Sequence, residues 1–195
     1  MNPLFETIAV IQSKVQNIEY HQSRYERSLR QFYGKSAVNI FDLFQAIHLP
    51  KDLLNQFVRC RIEYDRHNIN VQYFPFIPKN YRTFQPVVCD HIDYGLKYTD
   101  RYLLNQLLQK RQNCDEIIII KQGKVTDCSI GNLVFRKDNQ WFTPDTPLLK
   151  GTQREKLLQQ NIIQECEILA QDINKFDEIV LINALNPFRT VSPLP

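Results

Sequence analysis

Polar and apolar residues alternate strictly along Phe57–Tyr64. Val58, Cys60, Ile62 and Tyr64 fall on one face, Arg59, Arg61 and Glu63 on the other. That period of two predicts a strand with one buried side and one open side. Leu4–Val10 predicts a second strand, with Val15–Tyr20 as a candidate partner, and Val71–Phe74 reads as a return strand. Between them the period changes. His21–Tyr33 carries Tyr25, Leu29 and Phe32 at helical spacing and stops at Gly34. Asn39 is positioned to cap a short second helix with Ile40, Phe41, Phe44 and Ile47 turned inward, and Pro50 ends it.

Phe76-Ile77-Pro78-Lys79-Asn80-Tyr81 breaks this pattern with prolines and aromatics. The expected division is an N-terminal lobe over 1–78, a linker over 79–84 and a C-terminal lobe over 85–195. Phe84–Cys89 predicts a strand and Arg101–Asn113 a helix with Leu103, Leu104, Leu107 and Leu108 inward. Glu116–Lys121 is apolar on both faces and predicts a central strand. Gln122-Gly123 predicts a hairpin turn, after which Val125–Lys137 reads as continuing β structure. A turn at Asp138-Asn139 leads into Trp141-Phe142. Gln153–Asn161 predicts a helix and Glu178–Ile182 a last buried strand. The pattern is that of an α+β chain in two unequal lobes.

The chain has 195 residues, 43% of them hydrophobic and 23% charged, enough for a sizeable core. A net charge of +3, spread among acids, forms no basic stripe for nucleic acid. Cys60, Cys89, Cys114, Cys128 and Cys166 are odd in number and lack a CxxC pair, which argues against zinc and disulfide frameworks and for a reducing compartment. There is no basic, apolar leader at Met1 and no apolar run long enough for a membrane span. A cytoplasmic location is expected, with no metal, membrane or nucleic-acid partner.

Three segments carry candidate chemistry. Lys97, in a strand-to-helix region, is either solvated or a desolvated amine able to attack a carbonyl; Tyr102 follows and is able to return toward it. Asp127 is either a turn aspartate or a carboxylate turned into a pocket. Gly151-Thr152-Gln153-Arg154 opens a helix, so it is either a plain cap or a backbone seat for phosphate. Arg24, Arg27 and Arg30 share a helix, with Arg27 and Arg30 expected in solvent. Arg61 either pairs with a neighbour or meets a substrate carboxylate. An amine, an acid and an anion seat are what a pyridoxal phosphate enzyme requires.

The same segments resemble the class IV aminotransferases, the fold-type-IV pyridoxal phosphate enzymes, nearly from end to end. Phe5-Glu6-Thr7-Ile8 is similar to the family's FET strand, and His21-Gln22-Ser23-Arg24 to its HxxR helix. Val125-Thr126-Asp127-Cys128-Ser129-Ile130-Gly131-Asn132 resembles its V-[ST]-E-x-x-x-x-N motif. Thr143-Pro144 with Leu148–Arg154 resembles TP…LPGITR, and Asn183-Ala184-Leu185 with Thr190-Val191 resembles the closing segment near the phosphate. Asp127 stands where the family usually has Glu, Lys150 and Gln153 replace a proline and a threonine, and the segment usually found ahead of the FET strand is missing.

The resemblance implies a two-lobed homodimer that binds pyridoxal 5'-phosphate. Lys97 would hold the cofactor as an imine and move the substrate's α-proton. Asp127 would keep the ring nitrogen protonated, and Tyr102 would face the phenolic oxygen. Arg24, Gly151, Thr152, Gln153, Asn183 and Ala184 would surround the phosphate, while Phe5 and Arg61 would meet substrate. Lys97-Tyr98-Thr99-Asp100-Arg101 is closer to the 4-amino-4-deoxychorismate lyases, which release pyruvate and an aromatic amine. A branched-chain or D-amino acid aminotransferase is the alternative. A weak or inert cofactor-binding homologue is the third reading.

Overall fold

The computed structural model describes residues 3–34 and 39–188. Thr190 and Val191 of the closing motif lie outside the described residues.

The first half is an antiparallel sheet covered on one side. Its elements are β1 (Leu4–Ile11), β2 (Lys14–Val15), α1 (Ile18–Tyr33), α2 (Leu43–Ala46), β3 (Phe57–Tyr64) and β4 (Ile69–Pro75). The sheet order is β2-β1-β3-β4. Alternation sends Leu4, Ile8 and Val10 of β1 and Val58, Cys60, Ile62 and Tyr64 of β3 into one core with Tyr25, Leu29, Leu43 and Leu53. The opposite face, carrying Phe5, Thr7, Arg59, Arg61, Gln72 and Phe74, is free of this core and walls a cavity.

The second half contains β5 (Phe84–Val88), α3 (Tyr102–Leu108), β6 (Glu116–Lys121), β7 (Lys124–Val125), β8 (Asn132–Lys137), β9 (Gln140–Pro144), α4 (Thr152–Gln159), β10 (Gln164–Cys166) and β11 (Glu178–Ile182). They form two sheets, β5-β6-β7 and β10-β9-β8-β11. The apolar run of β6 is explained by its two neighbours. Ile117 and Ile119 pack toward Leu104 and Leu107 of α3. Ile118 and Ile120 pack toward Leu133, Phe135 and Leu181 of the second sheet. On that sheet's far side Val134 and Ile182 meet Leu157 of α4. The halves are stitched where β1 meets the lysine segment: the Phe5 amide donates to the Lys97 carbonyl at 3.0 Å and Thr99 to Pro3 at 2.9 Å.

Four expectations change. Of the expected partner Val15–Tyr20, only Val15, with Lys14 before it, pairs with β1, because Asn17 turns left-handed at φ 52° and the helix begins at Ile18. Asp42, not Asn39, caps α2, accepting from the Gln45 amide at 3.0 Å. Leu43 is its buried residue, while Ile40 and Phe44 are exposed. Residues 126–131 leave the β pattern as an arch between β7 and β8. Cys128 of that arch is buried in the core under the second sheet, with Ile130 partly buried against it.

Candidate active site

A cavity of about 630 Å³ lies between the open face of the first sheet, the Lys97 segment, the arch and the start of α4. Phe5, Arg24, Arg61, Lys97, Asp127, Gly151, Thr152, Gln153, Asn183 and Ala184 all line it.

Tyr102 is the exception. It begins α3 on the outside, 68% exposed, and its hydroxyl accepts from Gln106. Tyr94 and Arg101 line the cavity instead. Arg101 donates to the Ser129 carbonyl at 2.8 Å, and the Tyr94 hydroxyl donates to the Tyr98 carbonyl at 2.7 Å.

Lys97 opens onto the cavity, yet protein crowds its amine. Its ammonium lies 4.8 Å from the centre of the Phe5 ring. Burial, and then the charges of Arg24, Arg101 and Arg61 against the pull of Glu6, lower its pKa to about 7. A large share of this amine is therefore neutral, and nucleophilic, near neutral pH.

Asp127 is held by the arch. The Ile119 amide donates to the Asp127 carbonyl and the Thr126 amide to the Ile119 carbonyl, at 2.8 and 2.9 Å. The Glu116 carboxylate accepts from the Ser129 hydroxyl at 2.8 Å and braces the arch from beneath. The Asp127 carboxyl itself is only 5% exposed. Its Oδ1 accepts from Asn132 Nδ2 at 2.8 Å and its Oδ2 from the Leu149 amide at 2.9 Å. Burial pushes its pKa up to about 7 although these donors oppose the rise. A cationic partner in the cavity would recover the lost ionisation.

Gly151 precedes α4, whose first turn has no side-chain cap, so its leading N–H groups face the cavity unclaimed by a side chain. Behind them Arg154 is buried and donates to the Pro144 carbonyl at 2.9 Å and to Glu165, tying the helix to β9 and β10. The Thr152 hydroxyl stands 3.4 Å from His21 Nε2.

His21 and Arg24, three residues apart on α1, both turn toward Glu6 of β1. His21 Nδ1 lies 2.7 Å from Glu6 Oε2, and Arg24 Nε donates to Oε1 at 2.8 Å. Burial alone would raise the Glu6 pKa; the Arg24 charge and the bonds from His21 and Arg24 overcome it and hold Glu6 near 2. Burial lowers the His21 pKa against the pull of Glu6. An ionised Glu6 only accepts, so neutral His21 carries its proton on Nδ1 and leaves Nε2 for the Thr152 hydroxyl.

Glu6, His21, Asn132 and Arg101 were not singled out as site residues by sequence reasoning. Two of them left a signal. Glu6 interrupts an apolar strand on its core face, and Asn132 closes the motif that contains Asp127.

The sequence profile of the amino-transferase class IV family matches residues 3–194. The chain belongs to that family. An uncharacterized protein of Haemophilus influenzae is 62% identical over 186 residues, covering 95% of this chain and 99% of that protein. The crystal structure of a proposed 4-amino-4-deoxychorismate lyase from Haemophilus somnus superposes with a TM-score of 0.93 at 54% identity, covering 96% of this chain and 98% of that one. A pyridoxal phosphate-bound hypothetical aminotransferase from Mycobacterium tuberculosis shares the fold, with a TM-score of 0.77 at 16% identity, covering 95% of this chain and 78% of that one. The two-lobed α+β architecture of this class is thus the chain's own. Among the described residues no helix is long and apolar enough to cross a membrane, and no group of His, Cys, Asp or Glu is placed to hold a metal.

The residues fit pyridoxal phosphate. A reactive amine, a buried acid and unclaimed helix N–H groups border one space. The glycine between them also leaves the turn its room: a Cβ on Gly151 would run into Asn132 Oδ1, which would have to move.

Proposed function

We propose that the chain is a pyridoxal phosphate enzyme of the 4-amino-4-deoxychorismate lyase type, releasing pyruvate and an aromatic amine. The observation that carries this is the convergence of Lys97, Asp127 and the Gly151–Gln153 turn on one cavity, in a chain 54% identical to a proposed lyase of that kind.

When bound, pyridoxal phosphate supplies an aldehyde for the substrate amine and a ring that withdraws electrons from the adjacent carbon. Lys97, with its amine largely neutral, would hold the group and would take the substrate's α-proton and return it. Asp127 would face the ring nitrogen. Arg24 and the amides of Thr152 and Gln153 would hold the phosphate, with Asn183 and Ala184 beside it. Phe5 lies beneath the Lys97 amine and excludes water from it. Tyr94 and Arg101 take the wall expected of Tyr102.

The proposed assembly is a cytoplasmic homodimer. Ile77, Val88 and Tyr102 are large side chains left exposed at 83%, 66% and 68%, which suits a covered surface. Sedimentation showing a fully active monomer would remove that part of the reading.

Two assays on purified protein test the reaction. One follows aminodeoxychorismate with a coupled pyruvate readout; the other supplies an amino acid and 2-oxoglutarate. Pyruvate release in the first supports the lyase, and amino transfer in the second gives the aminotransferase. Silence in both, with cofactor bound, leaves an inert homologue.

A further inference from the structure

The seat proposed for the phosphate has two walls, and they come from opposite halves of the chain. Arg24 belongs to α1, and the Gly151–Gln153 turn opens α4; both line the cavity. A dianion gains most from two walls when their spacing is fixed before it arrives.

One buried carboxylate reaches toward both. Glu6, 0% exposed, accepts from Arg24 Nε at 2.8 Å and from Arg24 Nη2 at 2.5 Å. Its Oε2 also lies 2.7 Å from His21 Nδ1. His21 is just as buried and turns Nε2 to the Thr152 hydroxyl at 3.4 Å. The line Arg24–Glu6–His21–Thr152 therefore runs unbroken from one wall to the other. Its proton order is set at Glu6. An ionised carboxylate only accepts, so Nδ1 of neutral His21 carries the proton and bare Nε2 accepts in turn. The Thr152 hydroxyl proton is thus directed at His21. Toward the phosphate Thr152 offers its backbone N–H, and its hydroxyl serves position alone.

Other polar contacts between the α1 region and α4 lie nearer solvent. Lys156 donates to Asn17 at 2.7 Å, the Tyr20 hydroxyl to Gln159 at 2.9 Å, and Asn17 to Gln153 at 3.3 Å. Arg27 stands 3.6 Å from Glu155 with both side chains partly exposed. Water can replace partners of that kind. It has no such access to the Nε2 of a fully buried histidine, so the His21–Thr152 contact is the one that resists slippage.

We propose that His21 is a positioning residue for the cofactor's phosphate: fixed by Glu6, it pins the Thr152 hydroxyl and so sets the α4 turn against Arg24. His21 itself touches neither the phosphate nor the reacting atoms. This deepens the proposed function and rests on it. The consequence is selectivity. The pin favours pyridoxal phosphate and does nothing for pyridoxal, which offers Lys97 the same aldehyde without the dianion.

The test titrates cofactor-free protein with pyridoxal phosphate and with pyridoxal, following the visible band formed at Lys97. Thr152→Val keeps the branched shape and removes the hydroxyl. It should lose about 3- to 10-fold in pyridoxal phosphate affinity and nothing in pyridoxal affinity. Thr152→Ser returns the hydroxyl and should recover wild-type affinity within about twofold. The amide of His21→Asn can still donate to Glu6 but is too short to reach Thr152, so this variant should lose the same factor as Thr152→Val. The double variant should lose no more than either single one. Unchanged pyridoxal phosphate affinity in Thr152→Val overturns the proposal. So does equal loss of both ligands, which would make Thr152 a packing residue, and so do losses that multiply in the double variant. Should His21→Asn fail to fold, the Thr152 variants decide by the first two of these outcomes. Wild-type protein that binds neither ligand would instead sink the functional reading.

Discussion

Asn132 occupies the space that any side chain on Gly151 would need, its Oδ1 lying where a Cβ would be built. The same amide donates to Asp127 at 2.8 Å and to the Leu149 carbonyl at 2.9 Å. The turn proposed to seat the phosphate and the acid proposed for the ring nitrogen are thus parts of one assembly. Gly151→Ala should push Asn132 off Asp127 and lose cofactor affinity about 100-fold or more, the sum of a broken seat and an uncompensated acid. Absorbance titration with pyridoxal phosphate reads it. Wild-type affinity in Gly151→Ala would mean the turn yields freely.

Lys97 is the lysine expected to react. Borohydride treatment of holoprotein should leave a pyridoxyl group on the Lys97 peptide and none on Lys79 or Lys121. In cofactor-free protein the same amine carries a pH signature. Its pKa is about 7 folded against 10.5 for an ordinary lysine, so the folded state binds fewer protons between these values. Stability therefore rises with pH across that window, and the cost of the lysine is complete below pH 7. Lys97→Met should raise the melting temperature of cofactor-free protein clearly at pH 6 and scarcely at pH 10.5. A gain independent of pH would contradict this.

Arg24 holds Glu6 and is proposed to hold the phosphate, so its removal should cost both. Arg24→Ala leaves Glu6 buried with His21 alone, worth about 3–5 kcal/mol of stability, and loosens the phosphate. Arg30→Ala breaks an exposed pair with Glu26 and should cost under about 1 kcal/mol. Urea unfolding beside cofactor titration separates them; equal losses would reduce Arg24 to helix packing. Glu6 is held near pH 2, below the ordinary carboxylate value of 4.5. Its contribution is complete above 4.5 and fades as pH falls through 2, so the cluster should survive mild acid.

Asp127→Asn removes charge but also sets an amide N–H against one of its two donors, Asn132 or the Leu149 amide. Exchange of the substrate α-proton, followed by deuterium wash-in, should slow by about 10²–10³. Cofactor affinity should fall less than in Gly151→Ala. Near-normal exchange would make Asp127 a tether for Leu149 and Asn132 only.

Alternation made much of this legible. The period of two along Phe57–Tyr64 placed Arg59 and Arg61 opposite the core, and the cavity lies on that side. The two-sided apolar run Ile117–Ile120 correctly predicted a central strand. Partnership was harder to read. Glu6 looks like any charge in a strand until His21 and Arg24 arrive from a helix distant in sequence. The arch at 126–131 has strand composition and its start still bonds to Ile119 of β6; the Cys128 amide turning back to the Gly131 carbonyl takes the rest out of the strand pattern. Tyr102 opens α3 on its exposed side, and no local pattern near Lys97 fixes which way that first residue faces. Asp42 outcompeted Asn39 as a cap because the helix it serves is a single turn tied to Leu43.

The first sheet keeps its two sides independent. Positions 58, 60, 62 and 64 hold the fold together, while 5, 7, 59, 61, 72 and 74 look into the cavity. Substrate preference can accordingly be rewritten by a handful of exchanges on one side of a finished wall. A designer who edits only those six positions changes what the protein accepts without renegotiating how it folds.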